Sequence, residues 1–172
     1  SWKTITPQVI TNRYSQKDWT YKDIDGNEQS GCWGYDIISG NQTVDAMKGG
    51  TINGVYSETV GTDVFGNATS TKTYTDYYII KGKMVTKEVR STTTSSDILG
   101  NEQVSKSTTT YSYQLSTKPG DKFDLTKDIP QGAKLVFFEV TTTTEVSGTD
   151  LYGGSWKTIT PQVITNRYSQ KD

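Results

Sequence analysis

The sequence predicts an all-β chain of long antiparallel hairpins, forming a sandwich or open barrel-like unit, and three observations carry that reading. Threonine supplies 29 of the 172 residues, and a β-branched side chain that is stiff at χ1 suits a pleated, half-exposed surface better than a helix. Period-two alternation is the second: Thr109, Tyr111, Tyr113 and Leu115 share one face, while Thr108, Thr110, Ser112 and Gln114 take the other. The third is a turn motif, Asp-x-x-Gly, that recurs between the candidate strands.

The elements follow in chain order. Trp2–Asn12 reads as a strand that Pro7 must bulge, end or confine to an edge, because proline has no N–H for the ladder. Thr43–Lys48 is the best helical stretch and is too short to matter. Lys48–Gly54 carries three glycines and reads as a flexible loop. Ser57–Val60 leads into a reversal and Thr69–Ile80 leaves it; Met84–Ser95 and Gln103–Leu115 flank the next. Breakers follow at Ser116–Asp121 and Lys127–Gly132. Lys134–Val140 is apolar on both faces, which predicts the most deeply buried strand.

Composition excludes several function classes. The formal charge is −1, so neither nucleic acid nor an anionic membrane has an electrostatic reason to bind. There is no histidine, which removes imidazole acid–base chemistry and histidine-ligated metals. A single cysteine, Cys32, forms no intrachain disulfide and no thiolate zinc site, and reads as a small buried hydrophobe. No apolar run approaches the ~18 residues needed to span a bilayer, and no signal-peptide pattern is visible. Acidic residues lie mostly in turns or beside lysines and read as solvated, so no catalytic residue, metal ligand or cofactor is expected. The tryptophans, Trp2, Trp19, Trp33 and Trp156, read as anchors of a thin core rather than a sugar-stacking platform. Asn41-Gln-Thr43 and Asn67-Ala-Thr69 fit the glycosylation sequon, which matters only in a secretory eukaryote.

The turn motif appears as Asp23-Ile-Asp-Gly26-Asn27, Asp63-Val-Phe-Gly66-Asn67, Asp97-Ile-Leu-Gly100-Asn101 and Asp150-Leu-Tyr-Gly153-Gly154. Asp in first place accepts backbone N–H groups as an Asx-turn, and Gly and Asn supply the positive φ of a tight reversal. In the first copy, Asp23, Asp25, Asn27 and Glu28 also suggest a calcium loop, but the glycine falls too early for EF-hand spacing. The motif glycines are spaced 40, 34 and 53 residues apart, which suits hairpins of unequal reach and not a regular solenoid.

A larger repeat encloses these turns. Ser1–Asp18 and Ser155–Asp172 are identical at all eighteen positions, so the period is 154: residues 1–154 form one complete unit and 155–172 begin the next. A window on a tandem array, an engineered duplication of a terminal strand, and a single domain with duplicated ends all fit. The turn at Asp150 immediately precedes the second copy, so Lys134–Val146 should pair with Trp156–Asn166, and by symmetry Trp2–Asn12 with the end of a preceding unit. The inter-unit strand is then carried by Trp2, Ile5, Val9 and Ile10, and equally by Trp156, Ile159, Val163 and Ile164. A strand borrowed from a separate molecule would give donor-strand assembly instead.

The turn motif resembles that of the YD-repeat (rearrangement-hotspot) family, with Tyr21-Lys-Asp23-Ile-Asp-Gly26-Asn27 as its nearest match. The other copies have Thr or Ser before the Asp. The resemblance implies strand-turn-strand units wrapped into a shell or shaft. The unit as a whole is similar to those of bacterial surface stalks: Thr-rich, His-free, nearly Cys-free and identical between copies. These features predict a structural repeat of an extracellular or cell-surface filament or adhesin stalk, with neighbouring copies of itself as partners and no enzyme activity. The alternatives are a carbohydrate-binding surface module and part of a YD-repeat toxin shell.

Overall fold

The structure, a computed structural model, describes residues 1–17, 20–22, 25–31, 33–130, 132–158 and 161–169, with the side chains of Tyr21 and Lys22 outside that description. The readings made above for Trp19, Asp23, Cys32 and Ile159 fall outside it as well. Strands take 69% of the described residues and no helix occurs among them, so the chain is all-β; its antiparallel sheets make a sandwich-like arrangement, not a closed barrel.

Fourteen strands are described: β1 (Trp2–Thr6), β2 (Thr11–Gln16), β3 (Thr20–Lys22), β4 (Glu28–Ser30), β5 (Trp33–Ser39), β6 (Gln42–Asp45), β7 (Gly50–Thr62), β8 (Ala68–Ile80), β9 (Lys83–Ser96), β10 (Glu102–Leu115), β11 (Lys118–Lys122), β12 (Leu135–Thr149), β13 (Ser155–Lys157) and β14 (Gln162–Arg167). Nine form the large sheet, in the order β1-β7-β8-β9-β10-β12-β13, with β14 also on β12 and β11 on β10. A small sheet runs β2-β5-β6, and β3 pairs with β4. Strands β7, β8, β9, β10 and β12 have 13 to 15 residues, so each reaches about 45–50 Å.

The small sheet covers only one end of these strands. Ile37 of β5, Ala46, Ile52 and Val55 of β7, and Ile79 of β8 form the core, with Ile10, Tyr35, Val44, Tyr77 and Met84 packed against it. A polar contact links the layers there, the Tyr35 hydroxyl donating to the Gly82 carbonyl (2.7 Å), while Lys17 bridges Asp36 and Asp45 within the small sheet. At the margin of the core, Asp76 is nearly buried and accepts from both terminal nitrogens of Arg90 (2.6 and 3.1 Å) and from Gly54 N–H (2.7 Å). Arg90 donating to Asp76 holds that carboxyl below the usual range, against the opposing effect of burial.

Several expectations need correction. Strand β12 is not the most buried: Val136 and Phe137 are 44% and 42% exposed. The reason is position, since the small sheet packs on β7–β9 and leaves β12 with no second layer. Nor do the tryptophans anchor the core; Trp2, Trp33 and Trp156 are all exposed, and aliphatic residues fill it. Gly50–Gly54 lies in β7 rather than in a loop, and Lys118–Lys122 forms the short edge strand β11. At the end of β10 burial does not alternate: Tyr113, Gln114 and Leu115 are all buried, because the Gln114 side chain is covered as well, donating to the Phe137 and Tyr168 carbonyls and accepting from Gly120 N–H.

Candidate assembly interface

Both copies of the duplicated segment begin on the large sheet, at its opposite lateral edges. The first forms β1 against β7, in the register Trp2↔Gly61, Lys3↔Val60 and Thr4↔Thr59. The second forms β13 against β12, with Ser155↔Thr149, Trp156↔Gly148 and Lys157↔Ser147. The tryptophan therefore faces a glycine in both. A Cβ on Gly61 would sit 2.6 Å from Trp2 Cε3, and one on Gly148 2.5 Å from Trp156 Cε2, so each ring lies directly on the glycine backbone. The chain Glu58-Thr-Val-Gly61-Thr-Asp63 matches Glu145-Val-Ser-Gly148-Thr-Asp150 in its Glu, Gly, Thr and Asp. Sequence reading passed over this likeness, although it was visible.

Beyond Pro7 and Pro161 the copies diverge. In the first, Val9 and Ile10 fall between β1 and β2; Ile10 packs on the core, and Thr11–Gln16 pairs with β5 in the small sheet. Within the unit, the strands of Trp2–Asn12 pair with β7 and β5, a pairing the sequence did not suggest. Ile5 sits where the β1 register shifts, between Thr4 and Thr6. In the second copy β14 stays on β12, pairing Val163 with Thr143 and Ile164 with Thr142, and Arg167 reaches Glu139 at 2.7 Å. Tyr168 packs against Phe137 (5.5 Å between centroids) at a cleft of about 410 Å³ shared with Gln114, Leu115 and Pro119. The corresponding Tyr14 packs on Tyr35, at 5.2 Å.

The reversals lie at one end of the large sheet and share one construction. Asp63 Oδ1 accepts from Phe65 N–H (2.9 Å) and Asn67 N–H (3.0 Å), and Asn67 Nδ2 donates to Oδ2 (2.8 Å). Asp97 does the same with Leu99 (2.9 Å) and with the backbone and side chain of Asn101 (2.9 and 2.8 Å). Asp150 accepts from Tyr152 (3.0 Å) and Gly154 (2.8 Å), where no asparagine side chain is available. The Asn67 and Asn101 side chains, first among the causes, hold the Asp63 and Asp97 carboxyls below the usual range. Positive φ falls on Gly26, Gly66, Gly100 and Gly153 and not on the asparagines, which corrects the expected division of labour. Gly26 and Asn27 lie between β3 and β4.

The two central residues of these turns form an apolar row. Val64 is 92% and Tyr152 90% exposed, and Phe65, Ile98, Leu99 and Leu151 are exposed beside them. The tips touch: Ile98 Cγ2 crowds Gly66, and Leu151 N–H donates to Asn101 Oδ1 (3.1 Å). Among the described residues no three acidic or cysteine side chains converge to hold a metal ion, and no helix is long and apolar enough to cross a membrane. The aromatic pairs, Tyr14–Tyr35, Tyr56–Tyr74 and those of Phe137 with Tyr111, Tyr113 and Tyr168, lie away from the turns and are tilted by 31 to 43°. No protein-family model matches the chain, and the comparisons with curated proteins and with solved structures find no match.

Proposed function

We propose that the chain is a structural repeat of an extracellular filament or adhesin stalk, in which successive units are joined by β-strand pairing. One observation carries this reading: the start of an identical eighteen-residue segment closes the large sheet at both lateral edges, with tryptophan on glycine each time. A sheet edge offers unpaired N–H and C=O groups to any strand of suitable register, and here both edges are met by the same sequence. The partner is then the neighbouring copy, with neither nucleic acid nor cofactor involved. Strand hydrogen bonds at the junction make such an array stiffer than a Gly/Ser linker would. The Thr-rich faces keep strand propensity while remaining wettable, which suits a surface location.

Electron microscopy of chains with one, two and four repeats tests this. The path from β1 to the strand that repeats it crosses six inter-strand spacings, so particles should lengthen by about 29 Å per repeat. End-to-end stacking along the strands would add about 50 Å, and flexible beads no constant increment; either result overturns the reading. Glycan binding by the single unit would favour the carbohydrate-binding module, and a closed shell the YD-repeat alternative.

A further inference from the structure

The two copies of the segment differ in which of their backbone edges is used. In the first, Ser1 exchanges both backbone bonds with Thr62, accepting from its N–H (3.0 Å) and donating to its carbonyl (2.5 Å). Antiparallel ladders alternate with period two, so Ser1 and Lys3 point at β7, and Trp2 and Thr4 point away. Farther on, the Tyr35 carbonyl accepts from Ala46 N–H and so faces β6. Gly34, Asp36 and Ile38 therefore face β2, and their partners Ser15, Arg13 and Thr11 face β5.

The second copy shows the reverse. Thr158 N–H donates to the Val146 carbonyl (2.7 Å), and the Gly154 carbonyl accepts from Asp150 N–H (2.9 Å). Trp156, between them in phase, faces β12 as well. Tyr168 N–H donates to the Phe138 carbonyl (2.8 Å), which turns Asn166 and Ile164 toward β12 too. Subtracting the period of 154, these residues correspond to Trp2, Thr4, Ile10, Asn12 and Tyr14. The odd-numbered residues named here bond forward, to β7 and β5, and the even-numbered ones backward, to β12; past the register shift at Ile5 the phase changes locally, and Thr6 stands opposite Glu58, in phase with Thr62 and Val60. At none of these positions do the copies compete for the same edge.

From this we infer that one copy of the segment serves two units at once. At each junction it is hydrogen-bonded on one side to β12 of the preceding unit and on the other to β7 and β5 of its own. The occupant of each sheet edge is a second copy of this unit, in head-to-tail order. The junction tryptophan then stands between Gly148 of one unit and Gly61 of the next, the two glycines that leave room for its ring. Strands β1 and β2 leave β12 into different sheets, so the preceding unit's single layer divides at the junction into the large and small sheets of the next. The inference rests on the stalk reading above and specifies its joint.

Amide hydrogen exchange read by NMR tests it, comparing the 172-residue chain with a two-repeat chain in which residues 19–172 follow Asp172. In the shorter chain, Lys3, Arg13 and Ser15 should be protected and Trp2, Asn12 and Tyr14 fast. At the other end, Trp156, Thr158 and Asn166 should be protected and Lys157, Thr165 and Arg167 fast. In the longer chain the internal copy should protect both sets, its previously fast amides slowing by about a hundredfold. If one set stays fast there, the shared strand is wrong. Should that happen in a particle that still lengthens by the constant increment, the stalk reading survives it; without the increment, both fall. Trp156→Ala in the longer chain supplies a second readout: it should raise exchange at the flanking amides of both units, and an effect confined to one unit also overturns the sharing.

Discussion

At one end of the long strands, Ile52, Val55 and Ile79 are covered by the small sheet; at the other, the same strands run on as a single layer. Within Tyr56–Tyr74, Glu88–Ser112 and Glu139–Thr149 the buried residues are Gly61 and Gly148, the two beneath tryptophan rings. The covered end is held by apolar burial, roughly 25 cal/mol per Å² removed from water. The bare end has little of this and rests mainly on ladder hydrogen bonds, cross-strand side-chain pairs and β propensity. Composition follows that division: the aliphatic residues collect at one end and the serines and threonines at the other. A single strand thus changes its physics halfway along, and the lateral edges by which units could join belong largely to the bare half.

The sharpest way to break this comparison is to make the same kind of cut at both ends. Ile52 has no exposed surface, so Ile52→Ala should cost about 3–4 kcal/mol in urea unfolding, transfer and cavity terms together. Val60→Ala, in the bare half of the same strand, should cost about 1 kcal/mol. Equal losses would mean that the thin half carries hidden burial. Next in size is Asp76→Ala, which strands Arg90 and Gly54 N–H at the seam between the halves. Three bonds to a charged, mostly buried group make a loss of about 2–4 kcal/mol reasonable. A change in cost smaller than that of Val60→Ala would show that the seam is dispensable.

Acid separates the ends differently. Asp63 and Asp97 have carboxyl pKa values below the usual range, with Asn67 and Asn101 as the leading causes. A group whose folded pKa is depressed adds stability above its unfolded pKa, near 4, and loses it as pH falls through the folded value. Below about pH 4 the turn amides of Phe65, Asn67, Leu99 and Asn101 should therefore lose protection. Exchange that becomes no more open there, once corrected for the intrinsic rate, would show that the carboxylates are incidental to the turns. Asp76 titrates in the same direction, so the seam weakens in the same window.

Legibility in the sequence tracked how local the deciding interaction is. Strand content was readable because threonine and period-two alternation act residue by residue. An Asp-x-x-Gly turn likewise carries its chemistry within five residues, although the asparagine contributes a side-chain bond where a backbone angle had been expected. Burial was not readable. Leu135-Val-Phe-Phe138 is apolar enough for a core strand, yet which strand is covered depends on where the small sheet lands, and Ile37 and Ala46 land on β7 and β8. Trp2 and Trp156 misled for the same reason: their partner is a glycine backbone in a neighbouring strand. Gly61 and Gly148 could have been found, since each stands two residues before a turn aspartate in a shared Gly-Thr-Asp.

The smallest expected effect concerns the threonine pairs of the bare half. Thr71 and Thr93 approach at 3.1 Å, Thr109 and Thr142 at 3.0 Å, and Thr141 and Thr165 at 3.2 Å, each through the two hydroxyl oxygens. These bonds form at a surface where water competes, so the net gain per pair is a fraction of a kcal/mol. Valine keeps the β-branch and loses the hydroxyl. Thr109→Val should therefore shift stability by no more than about 0.5 kcal/mol, while Thr109→Ala, which also loses the branch, should cost about 1 kcal/mol. Repeating valine along the strand should leave unfolding almost unchanged and lower solubility instead, since both faces of that layer meet water. If Thr109→Val cost as much as Thr109→Ala, the hydroxyl ladder rather than the β-branch would be what steadies the thin half, and threonine's abundance would need that explanation.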